Sequence, residues 1–116
     1  MEVKTCDIVL CEFYFSDLKA SKNRPVLVFK DNLPYDDFIA IPISSKIAKL
    51  QNDEILLDKE SFTSGSIPIK SKLMIRKTFV VSKQVIIKKY GTIDNRTFEK
   101  LHKNFCEYFA CSGKKI

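Results

Sequence analysis

Apolar residues along this chain come in short runs separated by polar breaks, a rhythm of strands with a single helix at the end. Residues 6 to 15 hold Ile8, Val9, Leu10, Cys11, Phe13 and Phe15, a density of β-formers that predicts a first strand. Val26-Leu27-Val28-Phe29 predicts a second, opened by Pro25 where no backbone donor is needed. Lys30 to Asp37 carries Asp-Asn and Leu-Pro turn signals, so the chain is expected to return as a hairpin through Phe38-Ile39-Ala40-Ile41. Ser45 to Leu50 reads as one helical turn, Glu54 to Leu57 as a brief strand, and Ser61 to Ser66 as a loop around Gly65.

From Ile67 to Val81, Leu73, Ile75, Phe79 and Val81 fall at odd positions, with Lys70, Lys72, Arg76 and Thr78 at even ones. That alternation predicts one long half-buried strand with a basic outer face. A further strand follows from Val85 to Ile93. Asp94 or Asn95 can cap the only long helix, expected over about 94–112 and ending near Gly113. Its apolar stripe is Phe98, Leu101, Phe105, Tyr108 and Phe109. The expected fold is mainly β: a small antiparallel β-barrel or sandwich in one domain, residues 1–116, with the C-terminal helix laid across it.

At 116 residues and 45% apolar content, such a domain can bury a core without disulfides or a structural metal. The net charge of +6 favours an acidic partner: nucleic acid, a membrane surface or an acidic protein segment. Asp7 and Glu12 interrupt the N-terminal apolar sequence, so the core of a signal peptide is missing, and no run reaches the roughly 18 residues of a spanning helix. A soluble cytoplasmic protein with no membrane association is expected. Cys6 and Cys11 read as opposite faces of one strand, and Cys106 and Cys111 as helix positions about 140° apart. Neither pair has zinc-knuckle spacing, so reduced cysteines and no metal are expected.

Candidate chemistry is sparse. The single His102 rules out a ribonuclease built on two histidines, and its place beside the apolar stripe suggests a packed or interface histidine. Asp36-Asp37 and Asp53-Glu54 are neighbours whose side chains should point apart, so they read as solvated turn charges. No phosphate-binding glycine loop, dinucleotide fingerprint or zinc-protease motif occurs, and no cofactor is expected. Two strand ends remain. Arg24 lies where the polar, basic stretch from Phe15 to Asn23 meets the apolar run, and Ser44-Ser45 closes the next run after Pro42-Ile43. Taken alone, such an arginine is most often solvated or salt-bridged, and such a serine is most often a capping residue.

In context the two carry more. Asp7-Ile8-Val9, Phe13-Tyr14-Phe15-Ser16-Asp17-Leu18, Arg24-Pro25-Val26-Leu27-Val28 and Pro42-Ile43-Ser44-Ser45 occur in that order. With a weaker continuation through Ser71, Lys77, Phe79, Lys83 and Ile86 to Tyr90-Gly91-Thr92-Ile93, they resemble the PemK/MazF family of toxin endoribonucleases from bacterial toxin-antitoxin pairs. The resemblance covers roughly residues 6 to 110. Three positions depart from the family pattern: Cys6 stands where Gly is usual, Met74 where Arg is frequent, and Ser44 where Thr is common.

The resemblance implies an SH3-like barrel, a homodimer, an acidic antitoxin partner, and metal-independent, sequence-specific cleavage of single-stranded RNA. Arg24 and Ser44 take the places of the family's catalytic pair. The reaction implied is attack by the ribose 2′-hydroxyl on the adjacent phosphate, leaving a cyclic phosphate and a 5′-hydroxyl. A guanidinium can bind two phosphate oxygens at once, and a hydroxyl can donate to the same oxygens, so Arg24 is assigned to transition-state charge and Ser44 to a supporting donor. Arginine is a poor general base at neutral pH. RNA contacts are expected from Lys19, Ser21, Lys22, Phe15, Ser16, Ser45, Lys72, Arg76 and Lys77, with Tyr14 and Tyr35 as further rings for base stacking. The alternative is a non-enzymatic barrel that binds RNA, an antitoxin or DNA gyrase.

Overall fold

A computed structural model describes residues 2–14 and 21–111. Within them the chain forms β1 (Asp7–Tyr14), β2 (Ser21–Leu33), β3 (Asp37–Ser44), β4 (Glu54–Leu57), β5 (Phe62–Gly65), β6 (Ser71–Met74), β7 (Phe79–Ser82), β8 (Ile86–Ile93) and the helix α1 (Asn95–Phe109). The strands make one curled antiparallel sheet in the order β4-β6-β3-β2-β1-β8-β5, with β7 also paired to β3. This is the half-barrel with a C-terminal helix expected of an SH3-like fold.

Both faces of the central strands are buried, which explains their unbroken apolar runs. Ile8, Leu27, Ile41, Ile43, Leu57 and Leu73 face the inside of the curl, where Leu101 of α1 closes the core. Their alternating neighbours Val9, Cys11, Val26, Val28 and Ala40 face a second core covered by Phe79, Val81 and Ile86. Phe29 extends the first core outward and stacks on Phe105 of α1 at 4.3 Å between ring centroids. Asp94 caps the helix, its carboxylate accepting from the Thr97 N–H at 2.8 Å.

Several boundaries differ from the sequence reading. Strand β2 begins at Ser21, so Arg24 already lies within the ladder, opposite Cys11 of β1. No helical turn forms after Ser44; instead the Ser44 hydroxyl accepts from the Lys46 N–H at 3.1 Å, a local turn that competes with helix. Residues 62–65 form an edge strand on β8, with Gly65 at φ 67° facing Gly91 where a β-carbon would collide with the Tyr90 carbonyl. The helix stops at Phe109 because Ala110 turns left-handed at φ 53°, and Gly113 lies outside the described residues.

The long strand expected from Ile67 to Val81 is broken by a 3₁₀ turn at Ile75–Lys77. Both halves still pair with β3, Ile43 opposite Leu73 and Ala40 opposite Phe79. Between these two pairings the β6–β7 segment carries three more residues than β3, and an odd insertion reverses which face the side chains meet. Leu73 and Ile75 therefore enter the inner core, whereas Phe79 and Val81 cover the outer one.

Cys6 precedes β1 at φ 84°, a backbone conformation that favours glycine. The glycine usual at this position in the family that the sequence resembles would meet this need without strain.

Candidate active site and its family

Strands β2 and β3 pair as far as Val26 and Pro42. Beyond that point β2 stays with β1 while β3 leaves to pair with β6, Ser44 standing opposite Lys72. The sheet opens there into a cleft of about 790 Å³ lined by residues of both strands. Carrying the Val26–Pro42 register two residues further on each strand sets Arg24 opposite Ser44. Arg24 lies two residues from Val26 and Ser44 four residues from Ala40, both in the outer-face row, so both belong to the same side of the sheet.

Arg24 is exposed in this cleft, and its guanidinium makes no hydrogen bond or ion pair with any described residue. Ser44 is half-buried, and accepting from Lys46 leaves its hydroxyl proton available to a ligand. Ser45, Lys46 and Lys77 complete the polar rim. Apolar and aromatic walls come from Phe13, Phe79, Ile67, Met74 and Tyr90, and Phe13 meets Phe79 edge-on at 5.8 Å. An unpaired planar cation, a hydroxyl donor and flanking rings suit a phosphodiester whose bases need stacking surfaces.

The expected site residues separate in three dimensions. Arg24, Ser44, Ser45, Lys72 and Lys77 line the cleft together. Ser21 and Lys22 do not line it; the Ser21 hydroxyl donates to Glu12 at 2.8 Å on β1. Phe15, Ser16 and Lys19 lie outside the described residues. Tyr35 is fully solvent-facing at the far end of the β2–β3 hairpin, roughly 30 Å of strand length from Arg24, and does not line the cleft. Phe79, Lys46 and the Ile67 wall were not singled out for the site from sequence, because their approach depends on how β3, β6 and β7 curl together.

Lys72 and Arg76 lie in an ion cluster beside the cleft. The buried Glu54 carboxylate accepts from Lys72 Nζ at 2.8 Å, Arg76 at 2.9 Å and the Gln51 N–H at 2.7 Å. Lys72 also donates to the Lys49 carbonyl, and Arg76 grips Asp53 with its backbone and guanidinium. Burial opposes ionisation of Glu54, yet the bonds from Lys72, Gln51 and Arg76 outweigh it and bring its pKa from 4.5 down to about 2. The reading of Asp53-Glu54 as solvated turn charges is thus corrected: both carboxylates converge on one arginine. His102 is off the cleft, its ring stacked 5.9 Å from Phe29.

Among the described residues, no cluster of His, Cys, Asp and Glu is arranged to hold a metal, and no helix is long and apolar enough to cross a membrane.

Solved structures similar in fold include the following three. An endoribonuclease in complex with its cognate antitoxin from a mycobacterial species aligns at TM-score 0.69 and 12% identity, covering 94% of this chain and 96% of that one. The MazE-MazF complex from Deinococcus radiodurans aligns at 0.67 and 12%, with 94% and 96% covered. The toxin MazF-mt6 of Mycobacterium tuberculosis aligns at 0.65 and 13%, with 88% and 96% covered. Comparison with curated proteins yields no match. A sequence profile covers residues 4–109, from the turn before β1 to the last residue of α1. By that match, this chain belongs to the family of PemK-like, MazF-like toxins of type II toxin-antitoxin systems.

Proposed function

We propose that the chain is a sequence-specific endoribonuclease that cuts single-stranded RNA without a metal ion, using Arg24 and Ser44. The observation that carries this reading is a guanidinium without a partner among the described residues, lining one cleft together with a serine hydroxyl. The 2′-hydroxyl attacks the adjacent phosphate, and negative charge grows on the non-bridging oxygens. Arg24 holds that charge with two parallel N–H bonds, and Ser44 donates a third. The 5′-oxygen leaves, giving a cyclic phosphate and a 5′-hydroxyl end.

Bases flanking the scissile phosphate stack on Phe13, Phe79 and Tyr90, while Lys46 and Lys77 attract the backbone. A homodimer acting on cytoplasmic mRNA, silenced by an antitoxin whose acidic segment covers the basic cleft, fits the family and the net charge of +6. A barrel that only bound RNA, an antitoxin or gyrase would have no use for a hydroxyl donor in the same cleft as a guanidinium that has no partner among the described residues. Purified protein should cut a long mixed RNA in EDTA and leave cyclic-phosphate and 5′-hydroxyl ends at a recurring short sequence. Cleavage of equal rate by a folded Arg24→Ala variant would overturn the assignment.

A further inference from the structure

The end of α1 sets two cysteines at the first and last positions of one backbone closure. Ala110 adopts φ 53° and ψ 51°, and the Cys111 N–H folds back to donate to the Cys106 carbonyl at 3.0 Å. A six-residue closure with a left-handed residue before its last position is a Schellman cap, which lays the side chains of its first and last positions against each other. An apolar pair commonly fills those positions. Here they are Cys106 and Cys111. The 140° divergence expected of a continuous helix does not arise, because the helix ends between them.

Both are free thiols, Cys106 partly accessible and Cys111 exposed, and neither lines the cleft. His102 lies one turn earlier, its Nδ1 3.9 Å from the Cys106 sulfur. The remaining cysteines are different. Cys11 is fully buried, and burial pushes its thiol up to about 12; burial and then Asp7 push Cys6 to about 11. They are therefore poor thiolates and serve as internal controls.

We propose that Cys106 and Cys111 form a redox site that closes to an intrachain disulfide by exchange with a low-molecular-weight disulfide such as oxidised glutathione. The exposed Cys111 thiolate attacks one sulfur of the reagent. A bond forms between Cys111 and that sulfur, the reagent's own S–S bond breaks, and the released thiolate takes up a proton. Cys106 then loses its proton to solvent and attacks the Cys111 sulfur, expelling the second small thiol. Two protein thiols are oxidised, and one small disulfide is reduced to two thiols. Cys106 suits the second role. Proximity to Cys111, then burial, raises its pKa, and the carbonyl end of a helix disfavours a thiolate. The closed ring pins the last turn of α1, where Phe105 packs on Phe29.

The test treats the full chain with oxidised glutathione, blocks residual thiols by alkylation, and reads intact mass and linked peptides. The expected product is a monomer lighter by two hydrogens, with a Cys106–Cys111 linkage that a dithiol reductant reverses. Cys106→Ser should stall as a glutathione adduct on Cys111, and Cys111→Ser should slow adduct formation by about tenfold. Disulfide-linked dimers, linkages to Cys6 or Cys11, or stable adducts on both thiols without ring closure would overturn the proposal.

Discussion

Two arginines flank the same opening in the sheet and have opposite surroundings. Arg24 has no partner among the described residues and faces the cleft; Arg76 is held by Asp53 and Glu54 and does not line it. Lys72 lines the cleft, yet its ammonium is engaged by Glu54, whose side chain is wholly buried. A cation that already satisfies a buried carboxylate cannot give up that bond to RNA without leaving the carboxylate uncompensated. The difference separates the cation suited to chemistry from those that hold its scaffold.

The sharpest way to break the comparison is to exchange the two losses. Arg24→Ala is expected to reduce cleavage by at least about a hundredfold, because a donor to developing charge contributes about 3 kcal/mol, while the melting temperature stays near that of the parent. Arg76→Ala is expected to lower the melting temperature and keep most of the activity. Steady-state cleavage and thermal unfolding of both proteins read the result, and a reversed pattern would sink the division of roles.

Glu54→Ala is expected to destabilise the fold by about 3 kcal/mol in denaturant unfolding, since it leaves the buried Lys72 ammonium unpaired. The acid limb carries the same information. The folded-state pKa of Glu54 is depressed, so its contribution is fully present above about 4.5 and is lost as pH falls toward about 2. Over that window, Glu54→Gln should show a shallower decline in stability than the parent. Equal slopes would mean that the cluster does not hold the carboxylate ionised.

Ser44→Ala should cost less than the loss of Arg24, about tenfold in rate with little change in substrate affinity, because a neutral donor replaces only part of the charge stabilisation. The smallest effect belongs to the turn before β1. Cys6→Gly removes the side chain from a left-handed position and should stabilise the protein by about 1 kcal/mol, read as a melting temperature higher by about 4 °C.

Local pattern carried much of this molecule. The alternation and turn residues located β1, β3, β4 and the start of α1, since strand period and helix capping depend on neighbours a few residues away. The sequence contexts of Arg24 and Ser44 single out two residues that the fold brings to one cleft. Hidden from sequence were the 3₁₀ turn at Ile75–Lys77, the edge strand at 62–65 and the left-handed stop at Ala110. Each is a departure from regular period, whose place depends on packing between distant segments.

Residue types, apolar rhythm and motif order by themselves determined the curled antiparallel sheet, its closing helix and the family. Only the tertiary structure decided which charges are available. Glu54 and Arg76 are 22 residues apart in sequence and 2.9 Å apart in space. An ion pair of that kind depends on how β4 and β6 are laid together, which no local pattern specifies. The same holds for Cys106 and Cys111 at the end of α1, joined by a backbone bond that depends on one left-handed residue between them.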